Sequence, residues 1–214
     1  MSVSSNVPWR LLIGLMWAAG LSTAHAAVGA RVDGIPVEDA YQVEGNKVVL
    51  NGVGLRKRAF FRTDVTAIYL SEKRSTLEGI EALPGAKRIQ LTLLRDIPGS
   101  IIARYFVSDF EQAATKEEFK SLINEVGAIG SIYGTIHHVS KGDVVNIDWV
   151  PGKGITSTLN GRALTLPGQP PYLNNELMYR IFMRMYVGAK TPEELRANLL
   201  GKSSSMRDAE PEKQ

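Results

Sequence analysis

Arg56 closes the stretch Leu50-Asn51-Gly52-Val53-Gly54-Leu55-Arg56, and a β-patterned run over residues 59–70 follows it. A guanidinium keeps its charge at any physiological pH and offers five N–H donors in a planar fork. Placed at the mouth of a sheet after a glycine-containing turn, it can hold a carboxylate or polarise a carbonyl. The neighbouring Lys57 and Arg58 read as surface residues of a basic turn. Other groups with chemistry to offer are Lys87, at the start of a second alternating run, and Tyr105 and Asp109, on a helix-patterned segment after it. The sequence has no glycine-rich phosphate loop, no His-Glu-x-x-His and no Gly-x-Ser-x-Gly. His137 and His138 are adjacent. On a strand their rings would point to opposite faces, so no joint metal site is expected. No metal or cofactor is called for.

Composition narrows the classes further. The chain has no cysteine, which removes disulfides, thiol nucleophiles, thiolate metal sites and a lipid-modified cysteine. The formal charge is +3 and the basic residues are spread along the chain. Nucleic-acid binding would want a concentrated basic stripe with stacking aromatics, and none is present. Two hundred or so residues suit one domain with a sizeable core.

The first residues set an expectation about compartment. Arg10 precedes an apolar run over residues 11–21 and then the small-residue site Ala24-His25-Ala26. This is the layout of a cleavable secretory leader, and the run is too short for an ordinary membrane span. Cleavage is expected after Ala26, leaving no integral membrane segment and lowering the formal charge by one with Arg10. A cysteine-free exported chain fits an oxidising space, and the periplasm is the expected location. The domain organisation is then a leader over 1–26, a folded domain over 27–201 and a disordered tail over 202–214, serine-rich and then charged.

The elements that must position Arg56 run from strands to helices and back to strands. Glu44-Gly45-Asn46-Lys47 predicts a turn and 48–50 the end of a short strand. Residues 59–70 read as a long strand, and 87–94 alternate Ile89, Leu91 and Leu93 with Arg88, Gln90 and Thr92 as a half-buried one. Asp64 and Lys87 are candidate partners across these neighbours. After the break at Pro98-Gly99, with Ser100 a fair N-cap, 101–114 reads as a helix with Ile102, Phe106 and Phe110 near one face. A second helix is expected over 116–126, capped by Thr115. Turns at Gly142-Asp143, Pro151-Gly152-Lys153-Gly154 and Asn160-Gly161 then predict a meander, the last being the strongest hairpin signal. Residues 174–186 form a third helix with Met178, Phe182, Met183, Met185 and Tyr186. A short fourth follows Thr191-Pro192.

Several of these pieces together resemble the chalcone isomerase superfamily, in particular its bacterial exported branch. They are the Asn51-Gly52-Val53-Gly54-Leu55-Arg56 stretch, Ala67-Ile68-Tyr69-Leu70, Gly142-Asp143, Val150-Pro151-Gly152-Lys153-Gly154, Asn160-Gly161, and Tyr186-Val187-Gly188-Ala189-Lys190-Thr191-Pro192 running into Leu199-Leu200-Gly201. Their order spans about residues 31–201. The resemblance implies an α+β open-faced sandwich, a large antiparallel sheet with a layer of helices on one face and a ligand cleft between. It also implies a role for Arg56, which in enzymes of the family orients the substrate and stabilises developing enolate charge, and in fatty-acid-binding members pairs with the carboxylate. The enzymes' threonine position falls on Asp64 and their lysine on Lys87. Their tyrosine falls near Ile102 and their asparagine near Asp109, with Tyr105 close by on another helical face. Carboxylates at Asp64 and Asp109 oppose enolate stabilisation.

Three function classes follow. The first is a binding or carrier protein for a small amphipathic carboxylate such as a fatty acid, with Arg56 as anchor and Asp64, Ile102, Phe106 and Asp109 lining the cleft. The second is an isomerase or intramolecular lyase acting on an enone-like substrate, with Arg56 as electrophile assisted by Lys87 or Tyr105. The third is a non-catalytic accessory protein whose cleft is filled by Phe106, Phe182 and Met183. Removal of Arg56 is expected to weaken carboxylate binding while barely changing stability.

Overall fold

The computed structural model describes residues 28–202. The expected leader lies outside the described residues, as does the expected tail beyond Lys202. The strands are β1 (Val28–Val32), β2 (Ile35–Glu38), β3 (Ala40–Val43), β4 (Asn46–Arg58), β5 (Phe61–Leu70), β6 (Lys87–Leu93), β7 (Ile97–Pro98), β8 (His138–Val139), β9 (Val144–Val150), β10 (Gly154–Leu159) and β11 (Arg162–Ala163). The helices are α1 (Leu77–Ala82), α2 (Gly99–Ala113), α3 (Lys116–Ser121), α4 (Ile123–Gly134), α5 (Glu176–Val187) and α6 (Glu193–Leu199). Seven strands make one antiparallel sheet in the order β11-β10-β9-β6-β5-β4-β3. This is the α+β sandwich that the family resemblance implies.

Strand alternation decides what each face meets. Ile68, Leu70, Ile89, Ile147 and Ile155 point toward the helical layer, where they pack with Phe106, Phe110, Phe182, Met183 and Leu199. Val65, Ala67 and Tyr69 point the other way, into a smaller core completed by Val37, Val43, Val48 and Val53. Ala30, Val32 and Ile35 of the β1–β2 ribbon pack on that second core. The sheet is therefore covered on its back near the β3–β5 edge, a feature the sequence reading does not contain.

The largest correction concerns the glycines before Arg56. They are not a turn. β4 runs unbroken for 13 residues, and Gly52 and Gly54 lie inside it, opposite Ile68 and Thr66 of β5. Their purpose is close approach. A β-carbon at Gly52 would collide with the carbonyl oxygens of Asn198 and Leu199, and one at Gly54 would lie 2.7 Å from the Leu195 side chain. Glycine lets the end of α6 rest directly on the strand, and Asn51 ties it there by donating to the Leu199 carbonyl at 2.8 Å. The real turns are Glu44-Gly45 before β4 and Ala59-Phe60 after it.

Several helix boundaries also shift. α2 starts at Gly99 with Pro98 as its cap residue, so Ser100 is already helical and caps nothing. The expected helix over 116–126 is two helices, broken at Leu122, and the second continues to Gly134. Thr115 does cap the first, in a reciprocal capping box with Glu118. Asn160-Gly161 makes its two-residue hairpin with φ of 49° and 78°. His137 and His138 do not point apart: their Nδ1 atoms lie 2.9 Å from each other on an exposed edge, because only His138 belongs to the short β8. Among the described residues no cluster of metal-ligating groups forms around them.

Candidate functional site

β4 and β5 deliver the polar half of the site by register. Arg56 stands opposite Asp64, which in turn stands opposite Leu93 of β6. All three point to the helical side, as does Arg58, one strand period beyond Arg56. α2 supplies the other wall. Ile102, Phe106 and Asp109 recur at helical spacing and line one cavity with Tyr105. Tyr105 is three residues from Ile102 and four from Asp109, so it shares their stripe rather than lying on another face. α5 closes the cavity with Phe182, Met185 and Tyr186.

The cavity measures about 90 Å³. Its wall is mainly apolar: Leu91, Leu93, Val145 and Ile147 come from the sheet, and Ile102, Phe106 and Phe182 from the helices. Phe106 and Phe182 stack at 5.4 Å between centroids, and Tyr133 meets Phe106 edge-on at 5.3 Å. These rings narrow the cleft without closing it, and Met183 lies elsewhere, beside Lys87. Tyr133 donates to or accepts from Ser157 at 3.1 Å. With Leu164 it also lines a second apolar cavity of about 190 Å³ between α4 and the 164–173 segment.

The charged end is a four-residue cluster. Asp64 is buried and holds Thr66 Oγ1 at 2.6 Å. Its other oxygen is 3.4 Å from Arg56 Nε, and Asp109 is 3.6 Å from Arg56 Nη2. Both separations are long for a charge-assisted hydrogen bond. Asp109 is committed elsewhere, gripped by both terminal nitrogens of Arg58, with Nη1 at 3.1 Å from Oδ1. The Arg58 guanidinium lies over the Tyr105 ring at 4.2 Å, and that of Arg56 over the Tyr186 ring at 5.2 Å. Burial alone would lower the pKa of Arg56. Asp64, then Tyr186 and Asp109, outweigh burial and hold it above the ordinary arginine value. Burial pushes the Tyr186 phenol up, against the pull of Arg56, so it stays a neutral donor. Outside Arg56, Arg58 and Asp109 lies a second, more polar cleft of about 110 Å³, bordered by Lys57, Arg184 and Lys190.

Of the residues singled out in the sequence, Arg56, Asp64, Ile102, Tyr105, Phe106 and Asp109 meet at this one cavity. Lys87 does not. It lies on the same face but opposite Leu70, six residues along β6 from Leu93, or about 20 Å away. It is therefore no partner of Asp64. Arg58, Tyr186, Tyr133 and Thr63 line the cavity without having been expected there. The signal for Arg58 was available: once β4 is seen to continue through the glycines, period 2 puts Arg58 beside Arg56 and sends only Lys57 outward.

An antiparallel sheet roofed by helices, with an apolar cavity bounded at one end by a half-buried arginine, defines an α+β sandwich with a cleft between its layers. A family model described as chalcone isomerase-like matches residues 29–201, and the chain belongs to that family. Among solved structures it is similar to the fatty-acid binding protein of Arabidopsis thaliana, with a TM-score of 0.63 and 12% identity over 78% of this chain and 92% of that one. No curated protein matches the sequence.

Proposed function

We propose that the protein binds a small amphipathic carboxylate, of the fatty-acid kind, with its tail in the apolar cavity and its head at Arg56. One observation carries this: the guanidinium at the cavity's polar end has neither carboxylate closer than 3.4 Å. Asp109 belongs chiefly to Arg58, so an incoming carboxylate can take the Arg56 fork without breaking the Arg58 pair. The known binding of fatty acids by the structurally similar plant protein supports the same reading. Size limits the tail. A water needs roughly 10–15 Å³ on this scale, so about 90 Å³ takes a short hydrocarbon segment. A long chain must also use the second cavity past Tyr133. Enolate chemistry is opposed by two carboxylates within 3.6 Å of Arg56, the candidate electrophile.

Export to the periplasm with cleavage after Ala26 is part of the proposal, supported by the leader-like first 26 residues. No helix among the described residues is long and apolar enough to cross a membrane. The test is native mass spectrometry of protein taken from its own cell, with extraction of bound lipid. A fatty acid that co-purifies and is lost in the cavity-filling Ile102→Trp, on a chain beginning at Ala27, is the expected result. A protein that arrives empty and refuses added medium-chain acids would overturn the binding reading; an intact first residue would overturn export.

A further inference from the structure

The Ala59-Phe60 turn joining β4 to β5 is made of residues that folding does not favour there. Ala59 takes a φ of 50°, in the left-handed region that a β-carbon disfavours. Phe60 is 98% exposed, and Phe61 beside it is 58% exposed. A glycine followed by a polar residue would make the same hairpin with less strain and less apolar surface in water. Cations surround the pair. The Arg95 guanidinium lies over the Phe61 ring at 4.3 Å, and Lys57, Arg58 and Arg62 flank it along the two strands. Arg58 is paired with Asp109 and Arg62 with Asp33, while Lys57 and Arg95 are exposed and enter no ion pair among the described residues.

We infer that this hairpin tip is an anchor for an anionic lipid surface, with Phe60 and Phe61 entering the bilayer interface and Lys57 and Arg95 meeting the headgroups. Apolar burial and attraction to a negative surface act together there, and neither demands a matching shape from the partner. A protein partner fits less well. Two phenylalanines offer at most about 500 Å² between them, short of the roughly 800 Å² that each side of a stable protein interface buries. Position adds a consequence. Arg58 is two residues from Phe60 and lines both the apolar cavity and the outer polar cleft. A docked tip sets the cavity mouth at headgroup depth. An amphiphile could then pass between bilayer and cavity without crossing water.

The inference does not depend on what the cavity holds, and its test reads surface binding alone. Purified protein is sedimented with phosphatidylcholine vesicles, with and without phosphatidylglycerol. Binding should need the anionic lipid, weaken with salt, fall about 10-fold or more in Phe60→Ser/Phe61→Ser, and fall by a smaller factor in Lys57→Gln/Arg95→Gln. Phe60→Trp should show a blue-shifted emission on the same vesicles. Because these side chains are exposed, the variants should keep the wild-type melting temperature. No binding to anionic vesicles, or binding indifferent to the phenylalanines, overturns the inference. So does a dimer in sedimentation velocity that Phe60→Ser dissolves while vesicles stay unbound, which would make the tip a contact between copies.

Discussion

Among the basic side chains on the helix-facing side of the sheet, Arg56 and Lys87 stand at opposite ends, and their surroundings differ in kind. Lys87 sits among Glu81, Trp149, Glu176, Tyr179 and Met183, and the space left beside it is about 10 Å³. Burial lowers its pKa, with Glu176 opposing and Arg180 adding to the drop. Arg56 is half-buried, and burial alone would lower its pKa too, yet it is pushed the other way because Asp64 faces it directly across the strands. One cation is packed in and tolerated; the other is compensated and left beside open apolar volume. Charge on a sheet face does not make a site. A cavity beside it and donors not already saturated do.

The comparison can be broken most forcefully in the cavity wall. Phe106→Ala removes a ring stacked between Phe182 and Tyr133, and should cost about 3–5 kcal/mol in urea denaturation. It should also widen the range of acids retained in a native mass spectrum. A loss well under 1 kcal/mol would mean the rings are not packed as described.

Arg56→Ala comes next. It leaves Asp64 buried without its counter-charge, so it should destabilise by about 3 kcal/mol, contrary to the small effect the sequence alone suggests. Arg56→Ala/Asp64→Asn should recover most of that while still failing to hold a carboxylate. If the single variant is as stable as wild type, Asp64 is not held by Arg56. Arg56→Lys is milder: it keeps the charge but loses the fork, and acid binding should weaken by about 1.5 kcal/mol in calorimetry with little change in melting.

The smallest effect is expected at the plugged end. A lysine whose folded pKa lies below its unfolded value binds fewer protons in the native state, so stability rises with pH through the interval just below the ordinary lysine range. Lys87→Met should flatten that rise and leave the protein equal to or more stable than wild type at neutral pH, by about 1 kcal/mol at most. Ligand binding should not change. A pH profile that keeps its alkaline rise in Lys87→Met would assign the rise to another group.

Much of the architecture was legible because it is written in local periods. The alternation over 87–94, the Asn160-Gly161 turn and the apolar stripe of α2 each predict an element that the structure contains. The β1–β2 ribbon was not legible, since strands this short carry little periodic signal and gain their place by packing Ala30, Val32, Ile35 and Val37 with Val43, Val48 and Val53. The glycines of β4 misled for a related reason. Glycine in a sequence reads as a turn, whereas Gly52 and Gly54 answer a contact with α6 that lies almost 150 residues away in the chain. Placing them in a turn put Arg58 on the surface and hid its pairing with Asp109.

By itself the sequence determined a mix of strands and helices, the absence of cysteine, and Arg56 as the residue to watch, because these follow from composition and short-range pattern. Only the tertiary structure decided that Lys87 belongs to a different end, that Tyr186 and Arg58 join the cluster, and that the cleft remains partly open. Those outcomes depend on which residues face one another across strands and helices, and strand register and helix packing are set by the whole core at once.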